Sequence, residues 1–179
     1  VIVEVKQIAP NETDRQQAID LKAGRIVSWK LTPGQRLRPC IREAAIQLRS
    51  RSMRGIPTVV AVYDSVRSLT YTDPYNVKVA MYGLDALELA LPSDPAVSPY
   101  PIGWTPAGKA TLTDEHNTSI SAVAIVRCFP PDQKPAPDFL LYHNHFARVP
   151  LNPDLVRPYV WAQYALGRAD NGATDWIEV

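Results

Sequence analysis

A mixed α/β fold, with a central sheet flanked by helices, is the class this sequence predicts, on three observations. Residues 1–8 alternate between two sets of side chains, residues 35–53 repeat apolar side chains at three- and four-residue steps, and residues 57–64 hold a nearly continuous β-branched run. These are the patterns of a strand, an amphipathic helix and a strand buried on both faces. In that order they fit a right-handed crossover between parallel strands.

Each element follows from its residues. Val1, Val3 and Val5 share one side of the first strand and Ile2, Glu4, Lys6 and Ile8 the other, so the valine face is expected to be core. Asn11 suits an N-cap, Glu12 and Asp14 complement the helix dipole, and Gly24 is a stop, which predicts a helix over about residues 12–23. Residues 25–31 read as a short strand or an extended linker. In the main helix Leu37, Ile41, Ala44, Ala45 and Leu48 form the apolar stripe, Pro39 is tolerated in the first turn, and Gly55 and Pro57 end it. Val59 to Tyr63 is the buried strand. Asp73 and Pro74 open a helix over residues 75–82 that Gly83 closes, and residues 84–91 extend as a strand. Residues 120–128 and 138–146 are two more strands, joined by a proline loop.

Composition sets the bounds. The 179 residues are 46% hydrophobic with a net charge of +1, which suits one domain over residues 1–179 whose core needs neither disulfide nor structural metal. Cys40 and Cys128 form no CxxC pattern and are expected as free thiols, with the cytoplasm as the default location. No run reaches the ~18 apolar residues of a membrane span, and the first residues lack the order of a signal peptide. Val1 already lies inside an alternation, so an upstream continuation is expected. Prolines crowd residues 92–106 and 130–137; with Tyr100, Ile102, Trp104 and Phe129 among them, these stretches read as long loops anchored on the scaffold. No internal repeat is present.

The chemistry-bearing residues begin with Glu4 and Lys6, which project from one strand face about 6.5 to 7 Å apart. Their neighbours on that face are apolar, and a charge buried there needs a metal, a partner or a substrate. A carboxylate beside an ammonium suits metal-dependent phosphodiester cleavage: the acid holds a hard cation through oxygen and the lysine positions water or meets growing negative charge. One carboxylate is too few, so a second acid is expected from a neighbouring strand. The alternative is a solvated pair on an outer face. Arg36, Arg38, Arg42, Arg49, Arg51 and Arg54 face a single acid, Glu43, giving a local charge of +5 suited to phosphate contact. A solvated helix face explains the same residues. Gln47, on that helix, has the reach to meet phosphate or a metal-bound water.

Taken in order, Glu4-Val5-Lys6, the helical segment Ile41 to Leu48 (IREAAIQL) and the strand Thr58 to Tyr63 (TVVAVY) resemble the core of the PD-(D/E)xK nuclease superfamily, the restriction-endonuclease-like fold. The resemblance covers about residues 1–64; Glu4 and Lys6 match the family's E-x-K element and Gln47 the polar residue on its following helix. Segments Thr72–Val77, Asn117–Val123 and Tyr142–Pro150 look like those of uncharacterised bacterial proteins similar to this superfamily. The resemblance implies a Mg²⁺- or Mn²⁺-dependent endonuclease acting on nucleic acid, DNA first. Glu4 would bind metal, Lys6 would stabilise the transition state or orient water, Gln47 would assist, and Arg42, Arg49 and Arg51 would approach the phosphates. The family's first metal-binding aspartate belongs on a preceding strand and is absent here. Either it lies upstream of Val1, or the chain is a non-catalytic nucleic-acid-binding or scaffold protein that keeps the fold. Asp64 is a migrated acid in one reading and a turn or capping residue in the other.

Other patterns have bland explanations. His143 and His145 would share a strand face and, with His116, could offer three nitrogens to zinc, but packing or hydrogen bonding accounts for them equally simply. Arginines beside Cys40 would favour its thiolate, against a packed thiol. Trp104, Trp161 and Trp176, in loops or the tail, could stack on bases or anchor those loops. GxSxG, phosphate-loop and dinucleotide motifs are absent. Oligomeric state stays open, a homodimer or larger complex included.

Overall fold

The computed structural model describes residues 1–28, 32–64, 71–127, 138–168 and 173–179. Six strands form the main sheet: β1 (Ile2–Ile8), β2 (Thr58–Asp64), β5 (Ala122–Arg127), β6 (Asp138–His143), β7 (Ala162–Arg168) and β8 (Thr174–Glu178), in the order β1-β2-β5-β6-β7-β8. β1, β2 and β5 run parallel, β6 is antiparallel to β5, β7 is parallel to β6, and β8 turns back on β7. The sheet is therefore mixed. The helices are α1 (Glu12–Lys22), α2 (Leu37–Ser52), α3 (Pro74–Tyr82) and the short α4 (Pro153–Val156), which runs into a 3₁₀ turn, Arg157–Tyr159.

The larger core lies between the sheet and α2 with α3. Leu37, Ile41, Ala44, Ala45 and Leu48, the stripe read from the sequence, meet Ile8, Val60, Val62, Val123, Ile125 and Tyr142, together with Val77, Ala80 and Met81 of α3. The opposite face is thinly covered: Leu151, Val156 and Val160 pack on Val59, Ala61, Ala122, Ala124, Val126 and Leu141. That cover stops short of β1, so Val1, Val3 and Val5 are exposed, Val5 by 67%. The expected valine core is thus reversed. α2 takes the other side of β1, the one bearing Ile2, Glu4, Lys6 and Ile8.

Local chemistry places several elements as expected. Asn11 accepts from the Asp14 N–H at 2.8 Å and Asp14 accepts from the Asn11 N–H at 2.8 Å, a capping box that starts α1. Asp73 caps α3, Pro74 occupies its first turn, and Gly83 ends it at φ +85°. A side chain at position 83 would strike the Gly108 carbonyl, so the close approach of those two turns requires glycine. Tyr82 ties α3 to the end of β6: its hydroxyl donates to the His143 carbonyl at 2.9 Å and accepts from the His145 N–H at 3.0 Å. Its ring sits edgewise to Phe146 and tilted to Trp176.

Other expectations are revised. The strand over 84–91 exists as β3 (Asp85–Ala90), but it pairs with β4 (Tyr100–Pro106) in a separate two-stranded ribbon. β4 lies inside the stretch read as a proline loop, and Trp104 is on a strand. β7 and β8 were not foreseen, and Trp176 lies on β8 rather than in a tail. His145 falls beyond the end of β6, so it shares no strand face with His143. Residues 25–28 form no regular element; residues 29–31, Cys128 and the 130–137 proline stretch lie outside the described residues.

Candidate functional site

β1 and β2 lie side by side with Glu4 opposite Val60 and Lys6 opposite Val62. Partners in a parallel ladder share a face, so both charged side chains point to the α2 side with Val60 and Val62. Lys6 Nζ lies 3.4 Å from Glu4 Oε1 and 3.9 Å from Glu43 Oε2 of α2. Their side chains are largely withdrawn from water, Lys6 at 16% exposure and Glu4 at 31%. An ammonium so placed needs counter-charge, and two carboxylates from two elements supply it.

Glu43 is the acid that sequence reasoning passed over. The signal was available, because Glu43 is four residues before Gln47 and the two share a helix face. Arg36, Cys40, Glu43, Gln47 and Arg51 follow at steps of three and four, forming one stripe on the β1 side of α2. Gln47 is exposed and makes no side-chain hydrogen bond to a described residue. Two residues of strand and one turn of helix both advance about 6 Å. With α2 running back between parallel strands, Gln47 therefore stands about level with Glu4, as Glu43 does with Lys6.

A groove of about 490 Å³ opens beside Lys6 at the carboxyl end of β1, lined by Lys6, Ile8, Asn11, Arg36, Cys40 and Glu43 among others. Ligands of open α/β sheets bind outside the carboxyl ends of parallel strands. Arg36 forms one wall, donating to the Ala9 carbonyl at 2.7 Å and to Asp14 Oδ2 at 3.0 Å, with its guanidinium 5.3 Å from the centre of the Tyr71 ring. Tyr71 donates to Asp14 Oδ1 at 3.4 Å; burial, then the Asp14 charge, pushes its ionisation up. Arg36 and Asp14 are thus engaged in holding α1 to α2.

The arginine cluster separates into distinct groups. Arg38 is 9% exposed and donates to the carbonyls of Pro33 at 2.8 Å, Lys109 at 3.1 Å and Val79 at 3.4 Å. It is a strut beneath the helix and is removed from the phosphate-contact set. Arg42, Arg49 and Arg51 are exposed and have no ion pair among the described residues. Arg51 shares the Gln47 stripe. Arg42 and Arg49 stand on a different side of the helix, with exposed Ile46 and Met53 between and beyond them. Arg148, which the sequence reading did not single out, reaches the Met53 sulfur and adds a cation beside the carboxyl end of α2.

The remaining candidates resolve individually. Asp64 closes β2 opposite Ile8 on the α2 side, four residues beyond the level of Glu4, about 13 Å along the sheet, and its charge is felt by Tyr71. It does not converge with Glu4. Burial, then the Glu43 charge, pushes the Cys40 thiol up, and Sγ donates to the Arg36 carbonyl at 3.6 Å, which overturns the activated-thiolate reading. His143 Nε2 meets Gln163 Oε1 at 2.9 Å, His145 packs edgewise on Phe146, and His116 is an exposed loop residue. The described residues contain no group of three or more His, Cys, Asp or Glu placed to hold a metal. The oxygen donors that Mg²⁺ or Mn²⁺ would use are Glu4 and Glu43, both facing the Lys6 ammonium that balances them. Mg²⁺ is commonly held by one or two carboxylates with waters and phosphate oxygens, and this donor set fits that sparse arrangement. Comparison with models of known families, with curated proteins and with solved structures finds no match. No helix among the described residues is long and apolar enough to cross a membrane.

Proposed function

We propose that the chain carries a metal-dependent phosphodiesterase centre of nuclease type, acting on nucleic acid, with DNA as the first substrate to test. The observation that carries this reading is Lys6 held between Glu4 and Glu43 at the mouth of a groove, on a parallel strand–helix–strand unit. Glu4 and Glu43 would hold Mg²⁺ or Mn²⁺, which when bound supplies a Lewis acid toward the phosphate and acidifies water. Lys6 offers its ammonium to the negative charge that grows on the phosphoryl oxygens, in a place where partial burial strengthens the attraction. Gln47 donates or accepts a hydrogen bond to orient substrate or water. Arg51, on the same stripe, meets the flanking phosphate, while Arg42 and Arg49 add salt-sensitive attraction from farther round the helix. The restriction-endonuclease-like core is the fold this reading requires.

The test is cleavage of labelled single- and double-stranded DNA and RNA in Mg²⁺, Mn²⁺ or EDTA. Wild type, Lys6→Ala and Glu43→Gln are compared. Metal-dependent cutting that falls about 10² to 10³-fold in Lys6→Ala is the expected result. Cutting that survives EDTA, or that Lys6→Ala leaves unchanged, overturns it. A second reading, a non-catalytic nucleic-acid binder on the same fold, rests on Arg42, Arg49 and Arg51, which are exposed and have no ion pair among the described residues. Salt-sensitive binding without cutting in any metal is its signature.

A further inference from the structure

β1 is one edge of the main sheet, and the alternation of its ladder says which backbone groups are free. The Ile2 N–H donates to the Pro57 carbonyl at 3.0 Å, one residue before its partner Thr58. In a parallel ladder every second residue bonds to the neighbouring strand, so Ile2, Glu4, Lys6 and Ile8 direct their backbone groups to β2. Val3, Val5 and Gln7 therefore direct theirs outward, and no described residue bonds to them. Natural sheets blunt such edges with proline, bulges, edge lysines or inward-pointing charges, and Glu4 and Lys6 are such charges unless the added strand sets each opposite its complement. β1 has no proline and pairs in unbroken register, its lysine is withdrawn beside two carboxylates, and its exposed face is Val1, Val3 and Val5.

We infer that a second copy of this chain pairs antiparallel along this edge, about a two-fold axis at Val5. An isologous strand pair must set outward-bonding residues opposite each other, which allows axes at Val3, Glu4, Val5, Lys6 or Gln7. An axis at Glu4 places two carboxylates face to face, and one at Lys6 two ammonium groups; like charges directly opposite oppose pairing. Axes at Val3 or Gln7 leave part of the strand unpaired and set a charged residue opposite an isoleucine. At Val5 the whole strand is used: Ile2 faces Ile8 of the second copy, Val3 faces Gln7, Val5 faces Val5, and Glu4 faces Lys6 on both sides of the axis. About six ladder hydrogen bonds form. The Glu4–Lys6 pairs fall at non-hydrogen-bonded positions, where side chains approach most closely.

The pairing also bears on the proposed site, although it does not depend on that reading. It brings the second copy's Glu4 opposite Lys6, so each ammonium gains a third carboxylate beside Glu4 and Glu43. The two Glu4 residues become diagonal neighbours, about 7 to 8 Å apart, a separation that long side chains span. The second acid expected beside the E-x-K strand thus has a source in the chain's own copy.

The test is molar mass by light scattering over a wide concentration range, with amide hydrogen exchange as the second readout. Wild type is expected to form a dimer in which the Val3, Val5 and Gln7 amides exchange slowly. Val5→Pro removes the outward N–H at the axis and leaves the β1–β2 ladder intact. It should be monomeric, with an unchanged circular dichroism spectrum and fast exchange at Val3 and Gln7. In a Glu43→Gln background, so that a reversed strand meets no carboxylate on α2, Glu4→Lys or Lys6→Glu alone should weaken the dimer about tenfold or more, and the two together should restore it. A wild-type monomer at all concentrations overturns the inference, as does a dimer that persists in Val5→Pro or one indifferent to the charge reversals. Slow exchange at these amides in a monomer overturns it too, because another segment of the chain then holds the edge. A wild-type dimer that cuts no nucleic acid in any metal counts against the nuclease reading alone.

Discussion

Replacing Tyr82 by phenylalanine removes one oxygen and leaves the ring against Phe146 and Trp176. That oxygen donates to the His143 carbonyl and accepts from the His145 N–H. A buried hydrogen bond is worth about 1 kcal/mol net, so losing two and stranding their partners should cost about 1 to 3 kcal/mol near neutrality. The same site dictates an alkaline signature. Burial pushes the Tyr82 phenol up to about 12 from its ordinary 10, against a smaller downward pull from its hydrogen bond to the His145 backbone. In the unfolded chain the phenol releases its proton from about pH 10, whereas the folded protein holds it to about pH 12. The stability linked to this group is complete below pH 10 and is lost as pH rises through 12, a fall of roughly 2 to 3 kcal/mol. Tyr71 and the other titrating groups are common to both proteins and cancel in their difference. Urea unfolding of wild type and Tyr82→Phe from neutrality to pH 12 should therefore show a gap that narrows above pH 10. A gap that stays constant to pH 12, or no gap at neutrality, would refute the reasoning.

Two further outcomes separate the arginines of α2. Arg38→Met keeps the apolar stem but strands the carbonyls of Pro33, Lys109 and Val79, and should cost about 2 to 4 kcal/mol, lowering Tm by about 5 to 15 °C in a thermal melt. Arg42→Ala and Arg49→Ala should leave Tm within a degree or two, while each lowers the slope of log affinity for DNA against log salt by about one.

The unit from β1 through α2 to β2 was legible because each segment has one dominant period and α2 buries the stripe its sequence marks. Periodicity shows that β1 has two faces, but not which one a helix will cover. Val1, Val3 and Val5 look more like core than Ile2, Glu4, Lys6 and Ile8, yet the layer of Leu151, Val156 and Val160 ends before it reaches them. β4 was hidden by its own composition: Pro101 and Gly103 break the alternation, and pairing with β3 makes the strand despite them. Of the site, Glu4 and Lys6 were readable as a same-face pair, whereas Glu43 required knowing that α2 folds back over β1. Arg38 and Arg42 are one helical turn apart and alike in chemistry; what separates them is the Pro33, Val79 and Lys109 backbone, brought in from other parts of the chain.

The parallel part of the sheet has a consequence for the order of assembly. β5 and β6 are joined antiparallel across one connection, as are β7 and β8, so each pair closes a comparatively short loop. β1 is different: Ile2 must find Thr58 before its ladder forms, and Val59 must find Ala122 before the next one does, so each ladder of the parallel part waits on a long closure. β1, which precedes β2 and β5 in the chain, thus waits longer for its ladder than the hairpin-joined strands do. Ile2 and Ile8 stay open to other chains throughout that interval and the valines beside them remain exposed after it, which makes β1 the segment where folding and aggregation compete most directly.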